Sequence, residues 1–218
     1  MQLTKQKGFT LVEIAIVLVI VGLLIGGVLK GQEMITNAKL KRIESDNAGI
    51  AAAMFSYQDR YTQLPGDDDN AHNRFDIYGA SAGNVGDGDG LITGNWTPAA
   101  ATDESAIFWK HLRAAGLIAG GGTDTQQPTN AYGGLIGIRD GALGIAGHVT
   151  VFGQIEGPIA KIIESRLDDG SGGAGRVQAG CTSGAKCAGG SNIDVDDPSH
   201  TGDAQYKDDA RYDLAFRL

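Results

Sequence analysis

Proline is scarce in this chain. Five occur in 218 residues, and none lies between residues 9 and 62. A stretch of that length without proline has no residue that breaks a helix by geometry. Cysteine is scarcer, with only Cys181 and Cys187. A single C-x5-C pair does not supply the four ligands of a structural zinc site. The four histidines, His72, His111, His148 and His200, are scattered without metal-ligand spacing. Basic residues are outnumbered, 18 against 26 acidic, for a net charge of −8. That balance argues against a nucleic-acid surface, where Lys and Arg must meet phosphates. Glycine is the opposite case. Its 34 copies are about twice ordinary usage, and most lie after residue 79. They point to long loops and turns rather than a helical bundle.

Residues 8–29, GFTLVEIAIVLVIVGLLIGGVL, dominate the chain. From Phe9 to Leu29 the one charged residue is Glu13. A helix of that length rises roughly 30 Å, enough to cross a bilayer core. A secretory signal peptide has a shorter apolar core followed by a small-residue cleavage site. Here Lys30-Gly31-Gln32-Glu33 follows instead. The remaining candidate boundary is Lys7-Gly8-Phe9. A carboxylate inside an apolar span is costly and normally has a partner. Glu13 either pairs or sits at headgroup level, five residues into the span. Gly22 and Gly26 form a small-xxx-small pair, as do Gly27 and Gly31, suited to close helix packing.

The helical pattern continues beyond the span. Ile43, Asn47, Ile50, Met54, Tyr57 and Tyr61 recur at alternating spacings of about three and four, one face of a helix. Pro65-Gly66 stops it, and Asp67 to Asp69 are expected to be exposed on the turn. A Gly/Asp loop follows, with GDGDG at residues 86–90. Asp87 and Asp89 partly suit a calcium loop, but the EF-hand template fails at Leu91 and Pro98. Residues 103–118 read as an amphipathic helix with Asp103 as N-cap, and Trp109 and His111 as packing residues. Short β-like runs cover 134–139 and 148–155. A helix begins at Pro158 and ends before Gly170. Tyr212 to Leu218 read as a terminal strand.

Gly8-Phe9-Thr10-Leu11-Val12-Glu13 resembles the processing site of type IV prepilins and of the pseudopilins of type II secretion systems. The features are a short basic leader ending in Gly, a Phe start, a Glu five residues into the product, and an apolar helix. Three later segments are similar to a subset of the same family: Tyr57 through Leu64-Pro65-Gly66-Asp67 to Ala71, the run from Glu104 to Ile118, and Ser165 to Gly180. The resemblance implies an α+β fold: a long N-terminal helical spine and a globular head with a small antiparallel sheet. Its expected parts are a cleaved leader (1–8), a spine helix (9–62) and a head (63–218). It implies cleavage after Gly8 by a prepilin peptidase and N-methylation of Phe9. Assembly with identical or related subunits on an inner-membrane platform follows, with the Glu13 of one subunit pairing with the Phe9 amine of its neighbour. The precursor would sit in the inner membrane and the filament in the periplasm or outside the cell, serving secretion, adhesion or motility. Charge flanking the span does not fix orientation; the resemblance puts the leader in the cytoplasm. In an exported head, Cys181 and Cys187 form either a disulfide or free thiols. Many major type IV pilins carry a proline where this chain has Lys30, a departure from that branch.

No catalytic residues are expected. Gly79-Ala80-Ser81-Ala82-Gly83 matches G-x-S-x-G without the strand–turn–helix setting. Gly170 to Gly175 matches G-x-G-x-x-G but follows a helix. No cofactor is expected beyond a structural calcium.

Overall fold

The computed structural model describes residues 8, 10–79, 85–168, 173, 175–181, 206, 208 and 210–218. Its contacts divide the chain into two compact units, residues 1–41 and 42–218. One helix, α1 (Leu11–Tyr61), runs through both. It has the length that the proline-free sequence allows. It stops at Tyr61, ahead of Pro65, where Thr62 turns into the left-handed region at φ 58°.

From residue 11 to 29 the helix is apolar, apart from Glu13, and exposed among the described residues. Leu11 is 91% exposed and Leu23 73%. Among the described residues nothing covers this stretch, and it is long and apolar enough to cross a membrane. Gly22, Gly26, Gly27 and Gly31 lie in α1, and a Cβ added at any of them would meet nothing.

The second unit is an α+β head. After the end of α1 come a short helix α2 (Ala71–Arg74), a 3-10 turn (Asp76–Tyr78) and α3 (Glu104–Ala114). Strands β1 (Ile136–Ala142) and β2 (Ile145–Glu156) follow, then α4 (Gly157–Leu167), β3 (Val177–Cys181) and β4 (Arg211–Arg217). The four strands form one antiparallel sheet in the order β1-β2-β4-β3. The terminal strand is therefore central, with Val151 opposite Ala215 and Ala179 opposite Leu214. β2 bulges between Phe152 and Ile155, where Gln154 takes φ 65° and its N–H donates to Asp213 Oδ1.

The apolar stripe of α1 builds the core. Ile43, Ile50, Met54 and Tyr57 are buried. Each stabilises the head by about 1.5–3 kcal/mol through area removed from water. Asn47 lies on the same face, and its Oδ1 accepts a hydrogen bond from Thr150 on β2. Both faces of β2 and β4 are covered. Val149, Thr150, Val151 and Phe152 are all buried, as are Leu214, Ala215 and Phe216. The alternation expected of a half-solvated strand is absent for that reason.

α3 begins at Glu104 and ends at Ala114, four residues short of the expected end. Gly116 at φ 69° turns the chain, and the Leu117 N–H donates to the Leu112 carbonyl. Asp103 occupies the N-cap position, but its carboxylate turns outward and accepts from the Ala99 and Ala100 N–H groups. Trp109 and His111 are fully buried. Gly170, Ala80 to Gly83 and most of the G-x-G-x-x-G segment lie outside the described residues.

Candidate assembly site and the acidic clasp of the head

The N-terminal end of α1 is closed by its own side chains. Thr10 precedes the first helical residue and Glu13 is the third residue of the helix. The Thr10 N–H and the Thr10 hydroxyl both donate to Glu13 Oε2, at 2.8 Å each. The Glu13 N–H donates back to Thr10 Oγ1 at 3.3 Å. This reciprocal pattern is a capping box, and it satisfies helix N–H groups that have no partner within the helix. The T-x-x-E spacing of Thr10 and Glu13 is the signal in the sequence that marks this helix start. Gly8 is exposed and outside the helix, whereas Phe9 lies outside the described residues. The pairing of Glu13 with a neighbour's Phe9 amine concerns a second subunit, so this single chain does not display it.

The second concentration of charge lies in the head. Asp67 and Asp68 are buried, 1% and 0% exposed, and only Asp69 of the three faces solvent. The expectation of an exposed triple is corrected here. The reason is that the loop carrying GDGDG folds back over the turn after α1. Asp67 accepts three backbone N–H groups from it: Gly88 (2.7 Å) and Asp89 (3.1 Å) at Oδ1, and Gly90 (2.8 Å) at Oδ2. Glu104, the first residue of α3, holds the same loop. It accepts the Asp87 N–H, the Thr93 N–H and the Thr93 hydroxyl. The approach leaves no room for side chains. A Cβ on Gly86 would sit 2.3 Å from Asp67 Cα, and one on Gly66, already at φ 96°, 2.7 Å from the Glu104 carbonyl.

Carboxylate oxygens of Asp67, Asp87 and Glu104 lie within 4.8 Å of one another. This grouping differs from the Asp87–Asp89 pair read from spacing. Asp89 turns its carboxylate to the Leu91 N–H at 2.8 Å. Asp67 and Glu104 already accept three hydrogen bonds apiece, so protein donors account for closure of the loop. Burial pushes the Asp67 carboxyl above its ordinary value, against the pull of the Gly90 and Gly88 N–H groups; Glu104 and Asp89 add to the rise.

Asp68 anchors the other side of the turn. Its Oδ2 accepts the Tyr57 hydroxyl at 2.8 Å, and its Oδ1 accepts the Asn70 N–H at 2.9 Å. Arg74 Nε lies 3.1 Å from Oδ2, an ion pair off the hydrogen-bonding line. Tyr57 stacks against His111 with a centroid separation of 6.0 Å, and His111 Nδ1 accepts the Gly66 N–H. Tyr78 completes the group by donating to the Lys110 carbonyl.

Burial raises both the Tyr57 and Tyr78 hydroxyls far above the ordinary phenol value, with Asp68 adding to each. The unfolded chain releases these protons near pH 10, whereas the folded head retains them. Stability is therefore full below pH 10 and falls above it, by up to about 1.4 kcal/mol per pH unit for each phenol. Denaturant melts at pH 9 to 11 are expected to show that slope. Tyr57→Phe should remove about half of it; an unchanged slope would mean that Tyr57 ionises in the folded head.

Cys181 ends β3, and Cys187 lies outside the described residues, as does His200. The disulfide expectation therefore falls outside them too.

A long apolar helix with a capped, carboxylate-bearing start and an α+β head with a four-stranded antiparallel sheet define a pilin-like architecture. A family model described as the prokaryotic N-terminal methylation motif matches residues 3–29. The chain thus carries the signature shared by type IV pilins and pseudopilins. No curated protein and no solved structure matches the chain.

Proposed function

We propose that this protein is a structural subunit of a type IV pilus-like filament. In this reading it waits in the inner membrane as a single-pass precursor of three parts: a leader (1–8), a spine (9–62) and a head (63–218). Prepilin peptidase cuts after Gly8, Phe9 is N-methylated, and subunits polymerise through the N-terminal helix into a periplasmic or extracellular filament. The observation that carries it is the methylation motif at residues 3–29, which overlaps the start of an apolar helix exposed from residue 11 to 29 among the described residues. Glycines 22 and 26 support the same reading. Each costs about 1 kcal/mol in a helix interior relative to Ala, and among the described residues a Cβ at either would meet nothing. Close approach of another helix would account for them. A role as a type II secretion pseudopilin shares every step but the final location.

Gly8→Ser tests the reading. The variant should accumulate as uncut precursor with Met1 at its terminus, while the unaltered protein shows a methylated Phe9. Normal amounts of mature Gly8→Ser protein would remove the peptidase step. Mass spectrometry of sheared and membrane fractions separates the two machines. Abundant methylated Phe9 in the sheared fraction marks a main pilus subunit, its confinement to membranes marks a pseudopilin or a rare minor pilin, and an intact Met1 in both leaves a membrane-anchored binding protein that does not polymerise.

A further inference from the structure

We infer that Phe55 is a docking knob for a second copy of this chain, whose head receives it in the cleft between α1 and the turn after α3. The inference rests on the filament reading and names one contact between heads within it. A cleft of about 400 Å³ opens beside α1. Gly49 and Ile50 of α1 line one side, and Leu117, Ile118 and Pro128 line the other. Those last three are half-buried, so apolar surface stays within reach of water. Gly49 keeps the cleft open. Glycine weakens a helix interior relative to alanine, and among the described residues a Cβ at this position would meet nothing. The packing of the head gives no reason for a glycine here, whereas a side chain entering from outside does.

The knob lies on the other side of the same helix. Phe55 is 53% exposed, the one aromatic among the exposed large apolar side chains of the described residues. Interfaces draw their anchors from aromatic side chains of this kind. Asp46 on the rim of the cleft and Phe55 are nine residues apart. That is two and a half helical turns, so the two face opposite ways, about 13 Å apart along the axis. A subunit cannot place this ring in its own cleft. A knob and a cleft on opposite faces also cannot both be satisfied in one two-fold interface. They join head to tail, the heterologous contact that propagates as an open helical filament. The charges agree with this. The rim carries Arg42 and Arg113 against the single acid Asp46, and the exposed Asp59 lies one turn beyond Phe55 on its face. One ring buries about 150–250 Å², well short of the roughly 1,200 Å² of a stable interface. The contact therefore orders heads that the N-terminal helices have gathered, and does not by itself make a dimer.

The test replaces Phe55 with the photoreactive benzoylphenylalanine in the full-length chain and irradiates sheared filaments. Peptide mass spectrometry is expected to find residue 55 joined to segment 42–50 or 113–128 of a second subunit. Gly49→Leu and Phe55→Ala are made in parallel. The added leucine side chain fills the cleft from within and meets no neighbour in its own head. Each variant is expected to keep its melting temperature within about 2 °C and to lose filament yield about tenfold. Cross-links confined to other segments, or to another protein, in filaments of normal yield would overturn the contact and leave the filament reading standing. Normal yield from Gly49→Leu would overturn it as well, since a filled cleft receives nothing. A melting temperature lowered by about 10 °C in both variants would assign lost yield to folding and likewise overturn it. An intact Met1 in every fraction of the unaltered protein, without filaments, would remove the filament reading and this inference together.

Discussion

Glu13→Ala subunits are expected to be cut after Gly8 and to remain in the membrane without entering filaments. The side chain lies five residues beyond the proposed cleavage point, so the Gly8–Phe9 bond that the peptidase would cut is unchanged. In the proposed reading, what is lost is the acceptor for the new amine. A cationic terminus brought into an apolar environment without a partner is costly, and the cost falls on every subunit added. The effect on filament yield should exceed a hundredfold, because it recurs at each step of growth. Glu13→Ala also opens the capping box, removing the acceptor for the Thr10 N–H and hydroxyl. That loss alone weakens a helix by about 1 kcal/mol, far too little to abolish a 51-residue helix. Circular dichroism of the detergent-solubilised variant should accordingly show unchanged helix content. Filaments at normal yield would disprove the pairing; a large loss of helix would reassign the phenotype to folding.

Asp68→Ala is expected to be the most damaging single change in the head. Asp68 is completely buried and serves the Tyr57 hydroxyl, the Asn70 N–H and Arg74 at once. Truncation leaves a buried phenol without an acceptor and a largely covered guanidinium without its counter-charge. Breaking a buried pair in this way costs about 3–5 kcal/mol. For a unit of this size, the melting temperature should fall on the order of 10 °C. Asp69→Ala, one residue away and exposed, should change it by about 1–2 °C at most. Calorimetry on the full chain in detergent compares the two. Equal melting temperatures for the variants would show that the clasp around Asp68 contributes nothing.

These two expectations differ in how far the sequence foretold them. Glu13 is conspicuous because a lone carboxylate in a 21-residue, mostly apolar run breaks a one-dimensional pattern. Such a pattern needs no tertiary information to be read, because a membrane-length run and a basic start are local properties. The same holds for the α1 stripe, where spacings near 3.6 place Ile43, Ile50, Met54 and Tyr57 on one face whatever they pack against. The acidic turn was misread on the same logic. Three consecutive aspartates after a proline and a glycine normally face water, and only Asp69 does. Asp67 and Asp68 are buried because a loop some twenty residues later supplies N–H groups, and because Tyr57 and Arg74 close around the turn.

The sequence by itself determined the apolar N-terminal helix, its carboxylate, the small-residue glycines, and in the head the helices α3 and α4 and the strands β1, β2 and β4. All of these follow from periodicity, composition and turn chemistry within a short window. The short helix α2, the 3-10 turn and β3 were not legible in periodicity. Tertiary structure decided the rest. It put the last strand, β4, between β2 and β3, it buried both faces of β2, and it made Asp67, Asp87 and Glu104 neighbours. Those outcomes depend on which distant segments meet. Covering the second face of a strand cancels the alternation that would have revealed it, and a buried carboxylate is recognisable only once its donors are in place.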